Sequence, residues 1–503
     1  MSIKEKFYDL QGKTVKELLI LSIPIFTLSK TTPNHYNLFL FCIPIFRINK
    51  YGPTYSINIL ILVWLAKLTL SFLSPFWKKI KGRRILKNAK KYYLKPEMHK
   101  RIVNKIKNGE KIVVVLFESR ISCWQYEKLY SLFKNSEYFE PVIVLKPFLT
   151  QGKKVMISLM NEAYEILKNE NYNVIKGYDE ITDKYLDIKK EINPDIVFYS
   201  MFWKPHIHNN SYINNFEDIY SFLYAYGFDV ASNPWNESMN FELQNKVTRY
   251  YLPTPIHSII AKDNMDNLGA NTFVTGSPKL DLFLDKKYVP KKVWKPQNKS
   301  KKRIIWAPHH SDGFQKDFYQ FNAFFEIYDF MLELAEKYED EIQIAFKPHP
   351  MLKPKLMDMW GSMATEEYYL KWQNKTNCQL EEGEFKDLFL ESDAMILDSI
   401  SFIAEYTITN KPAFFTIGST SRVNLNLYGK ENFKVLYKSE NNLKEDIERF
   451  IVDVVLNGED VKKAEREEHI QKYMLPPNNC SASQNIYDDI KRIVIDGNYI
   501  MKG

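Results

Sequence analysis

The sequence predicts an α/β protein made of two parallel-sheet domains, preceded by a basic N-terminal region. Three observations predict this. Short apolar strand-like runs alternate with helix-like runs across residues 111–285, the pattern of a parallel sheet with crossover helices. The alternation breaks at the basic stretch KKYVPKKVWKPQNKSKKR (286–303) and restarts with RIIWAP. The charge is also lopsided: residues 1–110 carry 21 Lys and Arg against 5 Asp and Glu, and the remainder carries 48 against 56. The expected organisation is a basic, apolar region at 1–110, a first domain at 111–285, a linker at 286–302 and a second domain at 303–503.

Composition narrows the class. A chain of 503 residues with 45% hydrophobic and 26% charged residues is a globular protein of two or three domains. Cys42, Cys123, Cys378 and Cys480 are far apart and share no metal-ligand spacing. That points to a reducing compartment without a disulfide framework. A nucleic-acid binder would more often spread its basic residues over a folded domain, so no nucleic-acid partner is expected. No secretory signal is expected either, because the first apolar run, 18–28, contains Pro24 and lacks a small-residue cleavage pattern.

In the N-terminal region, LSIPIFTLSK (21–30) and FCIPIFRINK (41–50) repeat an Ile-Pro-Ile-Phe core. A pair of short strands or an extended hairpin is expected, with Pro24 and Pro44 confining those strands to edges. INILILVWLAKLTLSFLSPFW (57–77) is long enough to span a bilayer. Lys67 near its middle disfavours a span, since a charge at the bilayer centre costs at least about 2.5 kcal/mol. KKIKGRRILKNAKKYYLK (78–95) then holds nine basic residues and no acid. An apolar helix with a polybasic flank suits peripheral attachment to an anionic cytoplasmic leaflet through 57–95. A buried helix followed by a solvated basic helix is the plainer alternative.

In the body, KIVVVLFESR (111–120), PVIVLKP (141–147) and PDIVFYS (194–200) read as first-domain strands, with WQYEKLYSLFKN and MISLMNEAYEILKNE as helices. In the second domain RIIWAP (303–308), IQIAFKP, DAMILDS (393–399) and PAFFTIG (412–418) are strands, and FFEIYDFMLELAEKYED and SFIAEYTIT are helices. Ligands of such sheets bind beyond the carboxyl ends of strands, which makes the strand ends the search list.

Three second-domain strand ends carry chemistry: WAPHHSDGF with His309 and His310, FKPHP with Lys347 and His349, and LDSISFIAEY with Asp398, Ser399, Ser401 and Glu405. A helix starting near Ser399 to Ser401 would offer hydroxyls and free N–H groups to a pyrophosphate. Glu405 could take a ribose diol. A plain N-cap explains the same residues equally well. Lys347 suits a phosphate, and His349 could donate to a phosphate oxygen or protonate a leaving group. A tight turn is the simpler account of His349 alone, and convergence of all three ends favours a site. No D-x-D metal motif, P-loop or G-x-S-x-G elbow is present. The leaving charge is therefore expected to be met by Lys, His and a helix dipole, with no metal or other cofactor.

TGSPKLDLF (275–283), WAPHHS, FKPHP and LDSISFIAEY…NKPAFF occur in this order. The ordered set resembles the CDP-glycerol glycerophosphotransferase family of teichoic-acid polymerases over roughly residues 111–450. That resemblance implies the GT-B architecture, two Rossmann-like domains with a facing cleft. It implies donor pyrophosphate contacts for His349, Ser399 and Ser401, and a cleft shaped by Gly276 and Pro278 to Asp281. The Ile-Pro-Ile-Phe repeat is similar to leaders of bacterial surface-polysaccharide transferases. Teichoic-acid polymerases carry a His-Gly-Thr motif whose His is taken as the base. This chain has no His-Gly, and its nearest match is Tyr226-Gly227 in YAYGFDV. Candidate substitutes on the first domain are Glu118, beside Arg120 in FESR, and His206 or His208 in FWKPHIH. For Glu118 a surface salt bridge with Arg120 is the plainer role, and for His206 that of a loop residue.

The expected function is transfer of a nucleotide-activated polyol phosphate, of the CDP-glycerol type, onto a hydroxyl of a saccharide or lipid-linked acceptor at the cytoplasmic face of the membrane. His349, Glu118 and His309 are the catalytic candidates. Lys347, Asp398, Ser399, Ser401, Glu405, Gly276 and Pro278 are the donor-side residues, and Arg120, His206, Tyr226 and Gly227 the acceptor-side ones. The alternative is a GT-B glycosyltransferase with a nucleotide-sugar donor. A non-enzymatic scaffold for surface-polysaccharide assembly is the third reading.

Overall fold

The structure, a computed structural model, describes the backbone of residues 3–10, 13–20, 23–32, 35–40 and 43–49. It describes residues 78–500 with their side chains, except the side chain of 151 and residues 233–238, 312–320, 322, 384, 401 and 441. The apolar segment 57–77 and Ser401 lie outside the described residues. The chain divides into two compact units, Met1–Lys81 and Gly82–Gly503.

The first unit contains one antiparallel sheet of β1 (Ile3–Leu10), β2 (Lys13–Ile20), β3 (Ile23–Thr32), β4 (His35–Leu40) and β5 (Ile43–Asn49), paired in sequence order. The two Ile-Pro-Ile-Phe copies open β3 and β5. Pro44 is on an edge strand as expected, but Pro24 is not, because β3 pairs with both β2 and β4. The register shows why an interior proline is tolerated. Pro24 pairs with Leu19 beside a shift between Leu18 and Leu19, and Pro44 pairs with Phe39 beside a shift between Leu38 and Phe39. A bulge releases the ladder hydrogen bond that proline cannot give.

The second unit holds two parallel sheets. The first contains β6 (Ile112–Glu118), β7 (Phe139–Leu145), β8 (Val174–Lys176), β11 (Ile196–Tyr199), β12 (Tyr220–Tyr224), β13 (Arg249–Leu252) and β14 (Thr272–Val274), in the order β14-β13-β12-β11-β6-β7-β8. A small hairpin, β9 (Tyr178–Asp179) with β10 (Lys184–Tyr185), interrupts the series. The second sheet contains β15 (Lys302–Ala307), β16 (Ile342–Phe346), β17 (Cys378–Leu380), β18 (Ala394–Leu397), β19 (Ala413–Phe415) and β20 (Tyr437–Lys438), in the order β17-β16-β15-β18-β19-β20. Strands covered on both faces need continuous apolar runs. β11, β12, β13, β16, β18 and β19 are buried at every residue. This is the expected GT-B-like architecture of two Rossmann-like domains.

Strand order locates the sites. In the first sheet the chain runs from β6 outward to β8, then returns to the other side of β6 with β11. In the second it runs from β15 to β17 and returns beside β15 with β18. Each reversal opens a crevice at the carboxyl edge, between β6 and β11 and between β15 and β18.

Packing extends the first domain at both ends. The helix Pro96–Lys107, opened by a proline at its first position, buries Met98 and Ile102 in the main core. Its Arg101 and Lys105 hold the buried Asp195 at 3.0 and 2.7 Å. The helix Ala482–Val494, capped by Ser481, returns to the first sheet. Its Asp489 takes the Nε–H of buried Arg249 at 3.0 Å, and Tyr487 packs on Phe133 and Phe139. Among the described residues no helix is long and apolar enough to cross a membrane.

Candidate active site

The second-sheet crevice is braced by one hydrogen bond. Asp398, just past β18, accepts the His309 backbone N–H on Oδ1 at 2.6 Å, joining the two strand ends on either side of the reversal. Asp398 is fully buried. Burial pushes its pKa up to about 7, partly offset by backbone N–H groups of His309, Phe324 and Ala323.

Pro308 ends β15 and Pro348 ends β16. Between them the His349 N–H donates to the Pro308 carbonyl at 3.0 Å. Three imidazoles meet there. Ring centroids are 4.1 Å apart for His309 and His310, 5.0 Å for His309 and His349, and 4.4 Å for His310 and His349. Burial, the other two rings and Lys355 lower the His309 pKa to about 2. Burial, His310 and Arg120 lower that of His349 to about 4. Both rings are neutral at pH 7. The Met351 N–H donates to His349 Nδ1 at 3.1 Å, which places that ring's proton on Nε2.

His309, His310 and His349 could also hold a metal ion, since one ligand nitrogen from each lies within 4.8 Å of the others. Two nitrogens on one zinc would sit about 3.4 Å apart, from Zn–N bonds of about 2.1 Å. His349 would have to give up its Met351 hydrogen bond to present a lone pair on Nε2. The donor set therefore fits an anion better than a metal.

The other donor-side candidates are arranged less simply. Lys347 Nζ donates to the Gly383 carbonyl at 2.6 Å. Ser399 is buried beside Asp398. The helix expected to start near Ser399 to Ser401 starts instead at Ile403 and runs only to Thr407, with Phe402 as N-cap. The reason is that Asp and Ser are favoured in turns as well as caps. Glu405 is buried and bonded to Lys279 Nζ at 2.7 Å, so a first-domain turn occupies the carboxylate expected to take a ribose.

TGSPKLD holds that turn. Gly276 has φ +84°, and a Cβ there would lie 2.8 Å from Pro476. Pro278 opens the short turn Pro278–Leu280. Asp281 accepts the N–H groups of Ala482 and Ser483 at 2.7 and 2.9 Å, fixing the start of the last helix.

The first-sheet crevice is braced in a parallel way. Glu118 ends β6, and its Oε1 accepts from Ser119 N–H at 2.8 Å and from Ser200 Oγ, just past β11, at 3.2 Å. The expected surface salt bridge with Arg120 is not formed, because Glu118 is fully buried. Burial raises its pKa to about 7, opposed first by Lys146. Lys146 follows β7, is also fully buried, and is lowered to about 8 by that burial. The Ser200 carbonyl accepts the Tyr226 N–H at 2.8 Å, so one acid orders three strand ends. Gly227, with φ +75°, turns the chain after Tyr226. The loop then reaches the second domain through Val230 and Ser232, which bond Asn426 and Asn424.

Arg120 donates to Cys123 Sγ at 3.2 Å and lies over the rings of Phe148 and Tyr226 at 5.0 and 6.0 Å. His206 stacks on Phe148 at 4.7 Å and 6°, with Nδ1 2.7 Å from Thr150 Oγ1. His208 instead stacks on Tyr185 at 3.6 Å. Burial, then Arg120 and Lys146, lowers the His206 pKa, and burial, His310 and Arg120 lower that of His349.

Sequence reasoning missed Lys146, Ser200 and Thr150, and gave Lys279 only within the Pro278 to Asp281 turn. Only Lys146 had a signal: VLKP (144–147) repeats the strand-then-Lys-Pro ending of AFKP (345–348).

Comparison with known proteins bears on these residues. The model of the family CDP-Glycerol:Poly(glycerophosphate) glycerophosphotransferase matches residues 195–448. That segment contains His206, Tyr226, the TGSPKLD turn and all three second-sheet strand ends. Glu118, Arg120 and Lys146 lie before it. A teichoic acid poly(ribitol-phosphate) polymerase of Bacillus spizizenii is 29% identical over 151 residues, which are 29% of this chain and 22% of that protein. The chain is thus matched to about a fifth of the length of that curated relative. Among solved structures, S. aureus MnaA with UDP covers 76% of this chain and 97% of its own, at TM-score 0.48 and 15% identity. The wall teichoic acid polymerase TagF covers 84% and 98%, at TM-score 0.45 and 14% identity.

Proposed function

This chain belongs to the CDP-Glycerol:Poly(glycerophosphate) glycerophosphotransferase family, and from that premise we propose that it transfers a CDP-activated polyol phosphate onto a hydroxyl of a surface-polysaccharide or teichoic-acid-like acceptor. The donor diphosphate lies across the second-sheet crevice. The acceptor hydroxyl enters from the first-sheet side and attacks the β-phosphorus, and CMP leaves.

The observation that carries this reading is the convergence of His309, His310 and His349 at the strand reversal braced by Asp398. A diphosphate needs fixed donors aimed at the oxygens on which charge develops. The neutral His349 ring, held by Met351, offers Nε2–H as such a donor. Arg120, just past β6 of the other sheet, adds a charge that persists at any working pH. The role needs no metal. Ser399, buried beside Asp398, completes the donor side.

The acceptor is lipid-linked or growing, and the enzyme works peripherally at the cytoplasmic face of the membrane. Support comes from the basic segment. Arg83, Arg84, Lys87, Lys90 and Lys91 are exposed, while Gly82, Ala89 and Tyr93 face the protein. Such residues near an anionic surface add roughly 1 kcal/mol each.

A thermal-shift panel of CDP-glycerol, CDP-ribitol, CMP, UDP and UDP-sugars tests the donor class. Stabilisation by cytidine nucleotides is expected. Stabilisation by uridine nucleotides alone contradicts the reading.

A further inference from the structure

The family's His-Gly base is absent from this chain, and the described first-sheet side chains are distinguishable as substitutes. Glu118 is fully buried and its Oε1 is held by Ser119 and Ser200, so it orders the strand ends and is closed to solvent. The Tyr226 phenol is raised above its ordinary pKa by burial and stays protonated at neutral pH. His208 accepts the Asn210 N–H on Nδ1 at 3.2 Å, which puts its proton on Nε2 and makes that nitrogen a donor.

His206 differs from all three. Its ring is only partly buried. It is clamped flat on Phe148 and edge-on to Trp203 at 6.1 Å. Thr150 Oγ1 lies 2.7 Å from Nδ1. A proton on Nδ1, donated to that hydroxyl, leaves the Nε2 lone pair to accept. Burial, Arg120 and Lys146 all disfavour the imidazolium, so the ring is unprotonated at neutral pH.

We propose that His206 is the general base that takes the proton of the acceptor hydroxyl, with Thr150 as its positioning residue. The inference rests on the phosphotransfer reading above. The acceptor O–H bond breaks and its proton goes to Nε2. The acceptor oxygen forms a bond to the β-phosphorus. The bond from that phosphorus to the bridging oxygen breaks, and its electron pair leaves with CMP. The imidazolium then releases its proton to solvent. Arg120 holds the oxygens of the transferring phosphoryl group.

The test is CMP release from CDP-glycerol with a synthetic lipid-linked glycerol-phosphate oligomer as acceptor. A general base contributes roughly 10²- to 10⁴-fold. His206→Ala is expected to lower kcat by about 10²-fold or more, leave the CDP-glycerol KM within about threefold, and regain activity with added imidazole. The acid limb of the parent's kcat/KM profile, placed below pH 6.5 by the lowered His206 pKa, disappears in the variant. His206→Ala within about threefold of the parent, with an unchanged acid limb, overturns the inference and leaves the phosphotransfer reading standing. A parent that releases no CMP from any CDP-polyol overturns that reading and the inference with it. If His206→Ala does not fold, Thr150→Val carries the test: a lower kcat with a displaced acid limb is expected, and an unaltered profile overturns the assignment.

Discussion

Lys279 places its ammonium 2.7 Å from Glu405 Oε1. That contact ties the turn after the last strand of the first sheet to the helix after β18 of the second. Both side chains are nearly dry, at 12% and 1% exposure. Removing one partner strands the other as a buried charge, which costs about 3–5 kcal/mol. Lys279→Met is therefore expected to lower unfolding stability by several kcal/mol, and Lys279→Met with Glu405→Gln to recover most of it. Denaturant titration of the two variants measures this. The single variant should also show a larger thermal shift with CDP-glycerol than the parent, because a ribose diol then meets an unoccupied carboxylate.

Asp398 predicts a pH dependence. Its folded pKa of about 7 lies above the ordinary 3.8, so the folded state holds this proton more tightly than the unfolded chain. The stability this contributes is complete below about pH 4 and is lost as pH rises through 7. The partly buried imidazoles of His309 and His349 are shifted downward and act in the opposite sense, losing stability as pH falls. Asp398→Asn isolates the carboxyl. Its stability relative to the parent should climb between pH 4 and 7, by about 4 kcal/mol at most. A flat difference across that range contradicts the assignment.

His349→Ala should leave unfolding stability within about 2 kcal/mol, because the ring lies at a partly exposed loop and not in the core. Nucleotide turnover should fall by roughly 10²- to 10⁴-fold. Stopped assays of CMP release beside denaturant curves separate the two effects.

Gly276→Ala should cost about 1–3 kcal/mol. The new methyl would sit 2.8 Å from Pro476 on a backbone with φ +84°, so both the turn and the segment leading to the last helix must shift. Thermal unfolding of Gly276→Ala measures the loss. Turnover should drop with it, since the same turn carries Lys279.

Much of this was legible locally. The apolar runs that became β6, β7, β11, β15, β16, β18 and β19 announce buried parallel strands. Their polar ends, marked by proline or by Asp-Ser, gave the search list that contains His309, His349 and Asp398. The rest depends on partners far away in sequence. β13 carries Arg249 in a strand buried at every residue, which is unreadable without Asp489, 240 residues later. β14 and β17 are three residues long, too short to show a period. Glu405 looked open because Lys279 is 126 residues away. Glu118 looked exposed because charged residues at strand ends usually are, and its burial follows from the closure of β6 against β11. Pro24 looked like an edge marker because a bulge in the neighbouring strand leaves no local trace.

The nucleotide released during turnover tests the central claim most directly. If the second-sheet imidazoles hold a CDP-activated polyol phosphate for attack at phosphorus, each transfer to acceptor must release one CMP, and His349→Ala must suppress that release. Release of a nucleoside diphosphate from a nucleotide sugar, with no CMP from CDP-glycerol or CDP-ribitol, would show attack at a sugar carbon and contradict the account.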